Sequence, residues 1–211
     1  MGPWDIMSQH FVEKGKPPQG LSSFTKIRLG WIKKQQVQFV KPGETSFALL
    51  SPLSKGGDRL VVKVLVDKWN HYLVENRQPI GFDKALPDSG ILILEVHPNA
   101  EDGTGGVKVK SAIGSPGFGQ ATYKLEVSNR NVFVDKQNNI SIIPLWKEKE
   151  SLGVLVTTPD RSKAAVQAAL AIQKLIDQNS GNENVIRESI AAFKKKDFEK
   201  SYEIAVGKPG R

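Results

Sequence analysis

The 211-residue chain carries 30 Lys and Arg against 22 Asp and Glu, a net charge of +8, with 39% hydrophobic and 25% charged residues. Those proportions are those of an ordinary globular chain long enough to bury a core, and no apolar run approaches the roughly 20 residues of a membrane-spanning helix. With no cysteine there is no disulfide and no thiolate metal site; the basic excess is interspersed with acids, and no aromatic-basic interleaving forms a base-stacking platform, which disfavours a nucleic-acid partner.

The first zone, residues 1–33, opens MGPWDIM. It reads as a tight, buried turn, since a signal peptide would need a basic stretch followed by an apolar run. Pro17-Pro18-Gln19-Gly20 forms a stiff approach to a short helix. Ser22 and Ser23 can cap that helix, Phe24, Ile27, Leu29 and Trp31 supply its apolar contacts, and Gly30 ends the pattern.

From 34 to 158 the chain is strand-rich. VQFV, TSFALLS, LVVKVLV, HYLVEN, GILILEV, TYKLEV, NVFV, ISIIPLW and LGVLVTT are β-branched or aromatic runs bounded by Gly, Pro, Asn or Asp. In HYLVENR, alternation puts Tyr72, Val74 and Asn76 on one face and Leu73, Glu75 and Arg77 on the other. GILILEV is continuously apolar, as a strand covered on both faces should be. Residues 99–120 read as a long loop.

The third zone, 159–211, is helical. Asp160 can cap a helix reaching about Gln178, with a stripe of Ala165, Ala169, Ile172 and Ile176. SGNEN breaks it, and Ile186, Ile190 and Phe193 mark a second helix. Asp197 caps a third carrying Phe198, Tyr202 and Ala205, stopped by Gly207 and Pro209. The expected fold is α+β: a mainly antiparallel β-sandwich-like domain preceded by a turn and short helix, with a C-terminal helical unit.

Motifs of catalysis are scarce. His10, His71 and His97 are far apart, no H-E-x-x-H is present, and no two imidazoles share a helical face at i, i+4. Gly114-Ser115-Pro116-Gly117 is no nucleophile elbow, and Thr104-Gly105-Gly106 is no phosphate loop. Glu101-Asp102-Gly103 lacks the spacing of an EF-hand, so calcium binding stays open and a turn is favoured. Glu75 and Arg77 share a strand face within an apolar run and point to a partly buried polar network, which Asp83 can join; a structural ion pair is favoured over a catalytic one.

Two blocks carry a family resemblance. GPWDIM followed by SSFTKIRLGWI resembles the segment just after the zinc-binding helix of immune inhibitor A-like metallopeptidases, a metzincin-like group. HYLVENRQPIGFDKALPDSGILILEV resembles their later segment, in which a strand ending Glu-Asn-Arg leads through Gly-Phe-Asp and Leu-Pro to a second apolar strand. Together the blocks span roughly residues 1–97. The resemblance implies a Met-turn at Trp4, Asp5 and Met7, with Met7 as an apolar floor beneath a zinc ion that H-E-x-x-H histidines bind. Zinc would activate water for peptide-bond hydrolysis.

This chain begins at that turn, without the zinc helix and its catalytic Glu. It is therefore expected to be the carboxy-terminal portion of such an enzyme (from a truncated reading frame, a fragment or half of a split gene), inactive alone and holding no zinc by itself. Its partners would be a protein or peptide substrate and a missing N-terminal catalytic fragment. The resemblance implies an extracellular or cell-surface location. His10, three residues beyond Met7, and Glu75, Arg77 and Asp83 are the further candidates for the cleft. The first zone is expected to pack Trp4, Met7, Phe24 and Trp31 against the elements a complete enzyme supplies. The alternative is a β-rich binding or structural module that docks a protein partner or a cell-surface glycan; aromatics such as Trp69, Tyr72 or Trp146 could be its anchors, with core packing favoured for each.

Overall fold

Apolar residues at every second position of the central segment produce two sheets that face each other. A computed structural model describes residues 1–8, 18–101, 103–114, 117–178 and 183–207. His10, Asp102, Ser115, Pro116 and Pro209, together with part of the SGNEN stretch, lie outside the described residues.

One sheet contains β1 (Val37–Val40), β3 (Val61–Leu65), β4 (His71–Arg77), β5 (Gly90–Val96) and β6 (Val107–Val109), in the order β1-β3-β4-β5-β6. Only the β1–β3 pair is parallel. The second sheet, wholly antiparallel, has the order β2-β9-β8-β7, built from β2 (Ser46–Leu50), β7 (Phe133–Asp135), β8 (Ile140–Glu148) and β9 (Ser151–Thr157). Between the sheets lie Leu50, Val62, Val64, Tyr72, Val74, Ile91, Ile93, Ile142, Val154 and Val156. The alternation expected in HYLVENR holds: Tyr72 and Val74 face this core, while Leu73 faces outward beneath the N-terminal segment.

Both outer faces are covered, so the molecule has four layers. The outside of the second sheet presents Ile143, Leu145, Trp146 and Leu155 to α2 (Pro159–Asp177), α3 (Glu183–Lys194) and α4 (Phe198–Val206). A register shift between Pro144 and Lys147 explains how adjacent Leu145 and Trp146 reach the same side. Pro144 cannot donate to the ladder, and a bulge is where a central strand tolerates it. Phe193 of α3 then packs edge-on against Trp146 with ring centroids 5.1 Å apart, and Phe198 of α4 lies 4.9 Å from Phe193. Asp197 caps α4 by accepting from the Lys200 N–H at 3.1 Å, and Gly207 ends it in the left-handed conformation, as the sequence predicts.

The outside of the first sheet presents Val61, Leu73, Leu92, Leu94 and Val96, covered by Trp4, Ile32 and the short helix α1 (Ser23–Arg28). Ser22 caps α1.

Three expectations change. TYKLEV forms no strand: Tyr123 makes one antiparallel bridge to Ile91, and turns follow at once. Asp88 gathers Thr122, Lys124 and Arg130 onto one carboxylate and closes this stretch into a loop. Within 99–120, Val107–Val109 pairs with β5 and completes the sheet. Asp160 lies in the first turn of α2, whose N-cap is Thr158, and so does not cap it. Tyr72 and Trp146 are buried in the two cores, as core packing predicts, whereas Trp69 stands 53% exposed.

Phe193→Ala removes the ring that joins the second sheet to α4. Urea denaturation should register a loss of about 3–5 kcal/mol with an unchanged slope. A loss below about 1 kcal/mol would mean that the helices are held by something other than this aromatic stack.

Candidate functional site

The two blocks that carry the family resemblance meet in space, and the meeting point is Arg77. β4 delivers Glu75 and Arg77 to its outer face, two residues apart and therefore side by side. A tight turn at Gly81–Ala85 returns the chain so that Asp83 lies beside them. Against this cluster sits the N-terminal segment: a turn at Gly2–Trp4, then Asp5, then α1.

Every guanidinium hydrogen has a partner. Nε donates to Asp83 Oδ2 at 2.9 Å, and Nη2 donates to Asp83 Oδ1 at 2.9 Å and to the Gly20 carbonyl at 3.3 Å. Nη1 donates to Glu75 Oε1 at 2.8 Å and to the Trp4 carbonyl at 3.0 Å. Arginine has five N–H donors, so the set is complete. The fork-to-fork pairing with Asp83 is the geometry that makes such pairs strong. Burial alone would push the Arg77 pKa down; Glu75 and Asp83 outweigh it, so the guanidinium is held above its ordinary value and stays charged.

The carboxylates are equally committed. Glu75 Oε2 accepts from the Ser23 N–H at 2.8 Å, at the start of α1. Asp5 accepts from the Ser22 N–H at 3.0 Å, from Thr25 Oγ1 at 2.7 Å and from the Met7 N–H at 2.9 Å, with the Ser22 hydroxyl as a further close donor. Two acids thus satisfy orphan N–H groups where the helix start favours negative charge. The indole N–H of Trp4 donates to the Phe118 carbonyl at 3.0 Å, and the Arg77 guanidinium lies 5.9 Å from the Trp4 ring centre. Gly20 is required here, because a Cβ would fall on Asp83 Oδ1. Lys26 closes the cluster by donating to the Leu53 carbonyl at 2.7 Å, and burial lowers its pKa against the pull of Asp83 and Glu75.

Of the candidate residues, Trp4, Asp5, Glu75, Arg77 and Asp83 come together, all buried. His10 lies outside the described residues. Met7 itself stands 73% exposed within this chain, outside the buried part of the turn. The reason is local, since Asp5 accepts from the Met7 N–H through its side chain and from the Ser8 N–H through its carbonyl at 2.9 Å, which turns the chain outward. Trp4, expected to wait for elements outside the chain, is instead covered by it, while Trp31 is 61% exposed and Phe24 half-buried. Around Met7, a surface groove of about 610 Å³ is bordered by Phe24, Leu29 and Val107. Gly20, Thr25 and Lys26 were not legible as parts of this cluster; the one usable signal was an Arg and a Glu at i, i+2 inside an otherwise apolar strand.

The three carboxylates of the cluster are buried, and both oxygens of each accept hydrogen bonds from the protein, which makes the arrangement a structural network. A zinc ion does not fit these residues for the same reason. Among the described residues no group of three His, Asp or Glu side chains is placed to hold a metal. His71 directs Nδ1 to the Trp69 carbonyl at 3.1 Å and His97 directs Nδ1 to Asn70 Oδ1 at 2.8 Å. No helix among the described residues is long and apolar enough to cross a membrane. No family model, no curated protein and no solved structure matches the chain.

Arg77→Ala would leave two buried carboxylates facing each other without their cation. The expected cost is about 3–5 kcal/mol in chemical denaturation, with loss of hydrogen-exchange protection in α1. Gly20→Ala should weaken the same protection by displacing Asp83. Retention of α1 protection in both variants would show that the helix is anchored elsewhere.

Proposed function

We propose that this chain is the carboxy-terminal portion of an immune inhibitor A-like zinc metallopeptidase. In that reading it supplies the support beneath an active site and the β-rich body behind it, while the zinc ligands and the catalytic Glu come from a preceding catalytic portion. The observation that carries the reading is the convergence of its two resembling blocks. Trp4 and Ser23 of the first meet Arg77 and Glu75 of the second through hydrogen bonds of 3.0 and 2.8 Å, and Gly20, just ahead of the second stretch of the first block, accepts from Arg77 at 3.3 Å. A buried clasp that fixes a turn and leaves an apolar Met side chain outside suits a floor on which another unit rests. Zinc, bound by that other unit, would lower the pKa of its water and polarise the scissile carbonyl. The residues described here contribute placement alone: Asp5 sets the turn, Arg77 anchors it to β4, and Met7 offers apolar surface. An extracellular or cell-surface location follows from the same reading.

The alternative, a non-catalytic module that docks a protein or glycan, has the exposed Trp69 in its favour, with Lys68 Nζ 4.8 Å from its ring centre.

The coding sequence immediately upstream separates the two. An H-E-x-x-H helix encoded there, in frame or one frameshift away, is expected; an unrelated gene would sink the metallopeptidase reading. For the purified chain, the expected results are no stoichiometric zinc and no chelator-sensitive casein hydrolysis. Zinc binding with cleavage by the chain alone would place the active site within it and overturn the division of labour.

A further inference from the structure

Between α1 and the outer face of the first sheet runs an apolar groove of about 370 Å³. Phe24, Ile27, Ile32, Val37, Leu73 and Val96 form its apolar lining. Its charged lining is Arg28, Lys34 and Lys63, with no carboxylate among the lining residues. Lys55, Arg77, Lys110, Lys124 and Arg130 all pair with acids. Arg28 and Lys63 instead lie over aromatic rings, 5.6 Å from the centre of Phe24 and 5.9 Å from that of Phe39, and none of the three makes an ion pair among the described residues. Phe39, on the edge strand β1, is 51% exposed, and Trp31 precedes Ile32 on the surface.

We propose that this groove docks an extended segment of a protein partner, with apolar side chains in the groove and carboxylates against Arg28, Lys34 and Lys63. Charge complementarity selects the acids: three unpaired cations around an apolar surface attract negative charge and repel basic segments. The cations stand on three elements, α1, the turn at Lys34–Gln36 and β3, so a peptide lying along the groove can pass each of them. The concave shape selects side chains over a flat lipid surface, and β1 offers the sheet edge along which an extended chain runs. Lys63 adds support, since burial lowers its pKa and an incoming carboxylate would relieve that cost. The inference requires neither zinc nor a peptidase partner, so it stands or falls apart from the metallopeptidase reading.

The test is fluorescence anisotropy on the full chain with a labelled peptide alternating Leu or Phe with Glu, beside the same peptide with Gln or Lys in place of Glu. The acidic peptide should bind at least about tenfold tighter than the Gln form, and added salt should weaken it. Arg28→Glu and Lys34→Glu, both at exposed positions, should each lower affinity by about tenfold with unchanged circular dichroism. Lys63→Glu should do the same and serves as the third arm. The proposal is overturned by equal binding of the Gln peptide, by variants that bind like the parent, by no binding below about 1 mM, or by binding to anionic vesicles in place of peptide.

Discussion

Burying a guanidinium is costly, and the N-terminal layer is arranged around meeting that cost. Arg77 lies on the outer face of a strand whose other neighbours are apolar, where an unpaired charge would be untenable. Its strand supplies one partner, Glu75, and the turn after the strand supplies Asp83. Neither provides the remaining acceptors. Those are the Trp4 and Gly20 carbonyls, which belong to a segment more than fifty residues earlier in the chain. The N-terminal segment therefore completes the coordination of a charge already committed to the sheet.

That arrangement explains several residues at once. Glu75 faces Arg77 with one oxygen and the start of α1 with the other, so a single carboxylate links sheet to helix. Asp5 orients the same helix start from the opposite flank while holding the turn that follows Trp4. Gly20 is the point of closest approach, where a side chain has no space. Apolar burial contributes too, since Trp4 covers the sheet, but burial is not directional. The hydrogen-bonded fork is what selects one placement of the turn among the many that would cover the same apolar surface.

The β-sandwich and its helices were legible in the sequence because their signals are periodic. Alternation in HYLVENR and the stripes at Ala165, Ala169 and Ile172 are properties of neighbouring residues, and they survive without knowledge of the fold. TYKLEV had the right composition for a strand and failed, because the Asp88 cluster that folds it into a loop draws on a residue 34 positions away from Thr122. β6 was missed for the converse reason: three residues between glycine-rich turns carry too little pattern, and β5 supplies the pairing. The candidate cluster was half legible. Glu75, Arg77 and Asp83 declare themselves as charges in or beside an apolar run, whereas Gly20 and the Trp4 carbonyl act through backbone shape and backbone oxygen, which no side-chain pattern encodes.

The clasp and the exposed surfaces beside it answer to different demands. A network whose guanidinium donors and carboxylate oxygens are all satisfied internally leaves its charges nothing to offer a ligand, so its effect must appear at its margins. Those margins are Met7, held outside by the Asp5 turn, and the flank of α1 that overhangs the groove lined by Val37, Leu73 and Val96. Both surfaces are apolar, and both depend on α1 keeping its place. A rigid charge network beneath and unpartnered apolar side chains above is the combination expected where a surface must be presented in one shape, because ordering it beforehand reduces the entropy lost when something docks. Arg77 thus helps hold both surfaces in place while lining neither groove.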